Sequence, residues 1–97
     1  MSYQDMVAED QRLRILQALE QDAGYSHNEH VLRAVLASVG HNISRDAMRG
    51  HLAWLEEQGL LRLEHAGTTY VALLSARGED AALGRTRVPG IARRTLD

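Results

Sequence analysis

Residues 51–62 read HLAWLEEQGLLR, and the fold turns on how this stretch divides. Leu52 and Leu55 continue a helical stripe that begins at Met48, and the stripe stops at Gly59. Glycine suits the left-handed residue that follows a helix, because it takes that conformation without a Cβ clash. From Leu60 the period falls to two. Leu61, Leu63 and His65 alternate with Arg62 and Glu64 until Ala66-Gly67 supplies a turn. The run TTYVALL over 68–74 is rich in β-branched and aromatic residues, so 60–74 reads as a β-hairpin. A helix over 44–58, capped by Ser44 with Asp46 in its first turn, therefore leads straight into two strands.

Upstream, Met6, Leu13, Leu16 and Leu19, with Val7, Ile15 and Ala18 beside them, predict a helix over 5–21. Ser26 and Glu29 have capping-box spacing, and Val31, Leu32, Val35, Leu36 and Val39 give a second helix closed by Gly40. Downstream, Ser75 caps a short helix from Ala76 to about Gly84, with Ala81, Ala82 and Leu83 inward. The tail carries Pro89-Gly90 and no helical period, which predicts an extended or flexible segment, either a basic arm along a groove or a strap whose Val88 and Ile91 pack on a partner subunit. The order is helix-helix-helix-strand-strand-helix. That is mainly α with a small β-hairpin (α+β), a winged helix-turn-helix over 1–84 followed by a basic tail over 85–97.

The 97 residues suffice for one domain. Cysteine is absent, which excludes disulfides and thiolate metal sites, and no apolar run approaches a membrane span. The acidic N-terminus lacks a signal core, so a cytoplasmic protein is expected. The net charge of −2 conceals an asymmetry. Residues 1–84 hold seven arginines against twelve acidic residues, and residues 85–97 hold four arginines against one aspartate. Every cation is arginine, whose planar fork suits phosphate, guanine and carboxylate alike.

The stretch SRDAMRGHLAWLEEQGLLRLEHAGTTYVALLSARGEDA over 44–81 resembles the helix–wing core of winged-helix regulators of the ArsR and MarR type. The spacing of Leu55, Gly59 and Leu60, and the run Ser75-Ala76-Arg77-Gly78 after the second strand, carry the likeness. AWLEEQGLL, then ARGEDAALGRTRVPGIARR, is similar to a family of small winged-helix proteins of Mu-like phages and prophages, with Trp54 and the VPGIARR tail as distinguishing marks. The resemblance implies a DNA-binding regulator, with helix 44–58 in the major groove and the hairpin as wing.

On that reading Arg45 and Arg49, four apart on one face, are the base readers, with Ser44 and Asp46 beside them. Arg33, Arg62, Arg85, Arg87, Arg93 and Arg94 are the phosphate contacts. The wing tip offers no cation, and Glu56-Glu57 make the end of the helix anionic. A protein-interaction module for a phage or host protein is the rival expectation. Tyr3, Met6 and Val7 extend the first helix's apolar face and predict a homodimer, and Trp54 sits at the rim of the core or in an interface. His27 and His30 share a helical spacing, but no second ligand pair accompanies them, so neither metal nor cofactor is expected. No nucleophile motif, phosphate loop or convergent carboxylate pair appears, and the chain reads as a non-enzyme.

Overall fold

In the computed structural model, residues 2–93 are described. They form four helices and a three-stranded antiparallel sheet, an α+β arrangement. The helices are α1 (Tyr3–Gln21), α2 (Glu29–Ser38), α3 (Arg45–Glu57) and α4 (Ala76–Ala82). The strands are β1 (Ser26–Asn28), β2 (Leu61–Ala66) and β3 (Thr69–Leu74), in the order β1-β3-β2.

The opening stretch divides at Gly59. Gly59 N–H donates to Glu56 O at 2.9 Å and Leu60 N–H to Leu55 O at 3.0 Å, the hydrogen-bond pair of a Schellman motif. Gly59 has φ +75°, and Leu55 and Leu60 are both fully buried. The motif therefore ends α3 and starts β2 in one step. Ser75 closes the loop from the far side, its hydroxyl donating to Gly59 O at 2.7 Å and its N–H to Leu60 O at 3.1 Å.

The core joins Leu13, Ile15, Leu16 and Leu19 of α1, Leu32 and Leu36 of α2, and Met48, Leu52 and Leu55 of α3. Leu60, Leu61, Ala72, Ala81 and Ala82 complete it from the hairpin and α4. Each fully buried leucine contributes roughly 1.5–3 kcal/mol relative to exposure. Among the described residues no helix is long and apolar enough to cross a membrane.

Two expectations need correction. Ser26 does not cap α2; it opens β1, which pairs Ser26, His27 and Asn28 with Leu73, Ala72 and Val71. Asn28 is the cap, its side chain accepting from Val31 N at 2.9 Å. Val31 and Val39 accordingly turn outward, while Glu29 turns in. The second correction concerns the tail. Residues 85–93 form a strap whose Val88 and Ile91 enter this chain's own core rather than a partner's. Gly90 makes this possible. At φ +93° it favours glycine, and a Cβ there would lie 2.6 Å from Trp54 Cη2 and Cζ2.

Glycines also separate tight from open sites. A Cβ at Gly78 would run into the Leu60 carbonyl oxygen and lie 2.6 Å from Leu74 Cδ1, whereas one at Gly50 would meet nothing within 4 Å. Gly78→Ala is expected to cost about 1–3 kcal/mol or more through overpacking. Gly50→Ala, in the interior of α3, is expected to gain about 0.5–1 kcal/mol. At about 4–8 °C per kcal/mol, opposite shifts in melting temperature are readable by circular dichroism.

Candidate nucleic-acid interface

The geometry around α3 centres on Glu29, a buried carboxylate beside the apolar core. Its side chain is 0% exposed. Arg49 donates to it twice, Nε to Oε1 at 2.7 Å and Nη2 to Oε2 at 2.9 Å. Tyr70 N–H adds a third bond to Oε2 at 2.7 Å.

The Tyr70 bond has a simple origin. The register that pairs Asn28 with Val71 would place residue 29 opposite Tyr70, but the backbone has by then turned into α2. The Glu29 side chain takes over as acceptor, so the carboxylate extends the ladder by one position. A buried N–H left without a partner would cost about 1–3 kcal/mol.

Arg49 completes the brace. Its Nη2 also donates to Thr68 O in the hairpin turn at 2.7 Å, and its guanidinium lies 4.0 Å from the Tyr70 ring centroid. His65 meets the same ring edge-on at 4.5 Å. One guanidinium thus ties α3 to α2, to β3 and to the turn. The Arg49 hydrogen bonds lower the Glu29 pKa from 4.5 to about 2, with the Tyr70 N–H in support and burial opposing. The Glu29 hydrogen bond raises the Arg49 pKa.

This placement corrects the expectation for Arg49. It is a brace, with its guanidinium engaged inward rather than offered to bases. Arg45 stands exposed on the first turn of α3, beside exposed Ser44, Asp46, Gly50 and Ala53, and has no ion-pair partner among the described residues. Ser44 accepts from Ala47 N at 3.0 Å as the N-cap. Arg33 is half-buried and donates through Nε to Ile43 O at 3.2 Å, which pins the loop before α3. Arg62 is paired with Glu64 at 2.8 Å. His27 lies in β1 and His30 in α2, so they do not share the helix face their spacing suggested.

A second polar line runs behind α3. Arg12 Nε donates to His51 Nδ1 at 3.3 Å, so His51 Nε2–H is left to donate to Gln11 Oε1 at 2.8 Å. The Gln11 amide then donates to His41 Nδ1 at 3.4 Å, and His41 Nε2–H to Asp10 at 2.7 Å. Burial first, and Arg12 second, lower the His51 pKa to about 4, in keeping with a neutral ring. Arg12 also lies 4.3 Å from the Trp54 ring centroid and donates to Gly90 O at 3.0 Å, so it holds the strap on α3.

Trp54 is half-buried beneath the strap. Arg87 and Arg93 are exposed on the strap, and Arg85 sits 3.4 Å from Asp80 and 3.8 Å from Glu79. Arg94 lies outside the described residues.

Known proteins provide context. The uncharacterized protein gp26 of Escherichia phage Mu is 45% identical over 89 residues, spanning 92% of each chain. An uncharacterized protein of Haemophilus influenzae is 46% identical over 71 residues, covering 73% of this chain and 69% of its own. No protein-family model and no solved structure matches.

The brace has a pH-dependent consequence. A carboxyl whose folded pKa lies below its unfolded value stabilises the fold above the unfolded pKa and loses that contribution as pH falls through the folded one. Glu29→Gln is expected to melt below the wild type at neutral pH. The gap should be full above about pH 4.5 and close as pH falls towards about 2. Thermal melts of both proteins across that window measure it, and a gap independent of pH would contradict the ionised pair.

Proposed function

The chain belongs to the family of Escherichia phage Mu gp26, and from the geometry of α3 we propose that it is a phage-type winged-helix protein that binds duplex DNA in a regulatory role. In this reading α3 lies in the major groove and the β2–β3 hairpin is the wing. The observation that carries it is the division of labour on α3. Arg49 faces inward and fixes the helix against α2 and the hairpin turn, while Arg45, Gly50 and Ala53 face solvent on a rigid mount. Preorganisation of this kind spares the ordering cost of binding.

The element order also supports it. A three-stranded sheet with α2 and α3 between its first two strands is compatible with a winged-helix layout, and β1 supplies a strand that the spacing rules overlooked. Arg45 is the reader, near the helix N-terminus where base contacts concentrate. Asp46 accepts from cytosine or orients Arg45. Arg87 and Arg93 on the strap provide phosphate contacts. Ser44 presents the start of the helix, and Arg33 holds the preceding loop.

A second reading, a protein-interaction module, is favoured by the wing. Its one arginine, Arg62, is paired with Glu64, and Glu57 is exposed at the end of α3. Salt separates the two. Charge-driven DNA binding weakens steeply as salt rises, and an apolar contact hardly responds.

Fluorescence anisotropy on labelled duplex across a salt series tests the proposal. Arg45→Ala is expected to cost about 1–3 kcal/mol on a preferred sequence and to relax discrimination. Arg87→Ala/Arg93→Ala is expected to weaken all sequences alike and to reduce the salt slope by about one for each phosphate no longer neutralised. No binding by the wild type at low salt would discard the DNA reading in favour of the interaction module.

A further inference from the structure

Two features of the surface have no role in the brace or in the reading face of α3. The first is a cavity of about 290 Å³ between the end of α4 and the strap. Buried Ala81, Val88 and Ile91 form its apolar lining, and the exposed arginines Arg87 and Arg93 border it. The volume lies at the small end of the range that holds a drug-sized ligand, which gives room for one or two side chains. The second feature is the start of α1. Tyr3 is 79% exposed and Met6 57%, the two most exposed large apolar residues of the described chain. Asp5 and Glu9 lie beside them in sequence. Residues three and four apart share a helix face, so Tyr3 and Met6 form an apolar edge bordered by two carboxylates.

The features complement each other in both respects: an apolar turn with an acidic border, and an apolar cavity with a cationic one. They are also neighbours. Ala92 N–H donates to Glu9 O at 3.1 Å, which brings the strap alongside α1 within one helical turn of Asp5 and Met6. Within one chain the turn does not fill the cavity, since no α1 residue lines it. A knob and a hole side by side on one surface satisfy each other across a two-fold axis, where each copy supplies both. Arg85 is not needed, because Asp80 and Glu79 already occupy it.

We propose that the cavity between α4 and the strap receives the Tyr3–Met6 turn of α1 from a second copy of this chain. The exchange is reciprocal, with Asp5 and Glu9 of each copy facing Arg87 and Arg93 of the other. This contact engages the same two arginines, Arg87 and Arg93, that the DNA reading assigns to phosphates, and it is tested without DNA.

The experiment is sedimentation velocity on the full chain at micromolar to submillimolar concentration. Two variants accompany the wild type, Glu9→Arg and Arg87→Glu/Arg93→Glu, and circular dichroism checks that each is folded. The wild type is expected to run at twice the monomer mass. Each variant alone should dissociate about tenfold more readily or worse, since like charges then meet in both contacts of its dimer. An equimolar mixture should recover the dimer, because in a mixed pair one contact is native and the other reversed in charge. A monomeric wild type would overturn the proposal and leave the cavity to a different partner. A dimer indifferent to both variants, or a mixture that stays monomeric, would overturn it equally.

Discussion

The fold around α3 depends on one buried carboxylate. Glu29 sits where β1 ends and α2 begins, and it accepts three N–H bonds there, two from Arg49 and one from Tyr70. Burying a carboxylate alone is prohibitive, so the charge is tolerable only because it is both paired and hydrogen-bonded. The geometry matters beyond stability. The first residue of α2, the middle of α3 and the start of β3 meet at a single group, and Arg49 carries the link on to the hairpin turn at Thr68. A leucine at position 29 would fill space without setting direction. The ion pair fixes how α3 stands relative to the β2–β3 hairpin, and on the proposed DNA-binding reading that orientation is what aims Arg45.

The strap is the second fixed point. Arg12 stacks on Trp54 and grips Gly90 O, while Val88 and Ile91 enter the core. The back of α3 is thereby covered and its N-terminal front left open. The same device places two exposed arginines, Arg87 and Arg93, on the surface of an otherwise acidic body. The cationic surface is therefore located by the packing of the strap and does not follow from net charge alone.

Much of this is legible in the sequence wherever the signal is local. Helical period marks the stripe of α3, Gly59 marks its end, and the alternation after Leu60 marks the hairpin, all within a dozen residues. Ser44 and Ser75 are readable as caps for the same reason. Glu29 is not. Its spacing from Ser26 fits a capping box, and that local pattern competes with a three-residue strand too short to show a period. Its true partners, Arg49 and Tyr70, lie 20 and 41 residues away, beyond any local rule. Arg49 misleads on the same ground, since a cation four residues from Arg45 looks like a solvent face until its partner is known. The strap is legible only in part: Val88 and Ile91, three apart around Pro89-Gly90, suggest packing, but form no periodic pattern that assigns them to this chain's own core. Trp54, a large aromatic on a half-exposed helix face, is the one hint that something covers it.

The N-terminal face of α3, mounted on the Glu29–Arg49 brace, is on this proposal the surface that meets DNA. Mapping amide chemical-shift changes on a ¹⁵N-labelled full chain during titration with duplex DNA tests it residue by residue. The largest changes are expected on residues 44–53 and on the strap around Arg87 and Arg93, with the Tyr70 amide unmoved because its bond to Glu29 persists. Changes confined to the acidic end of α3 and the wing, or no changes at low salt, would contradict it.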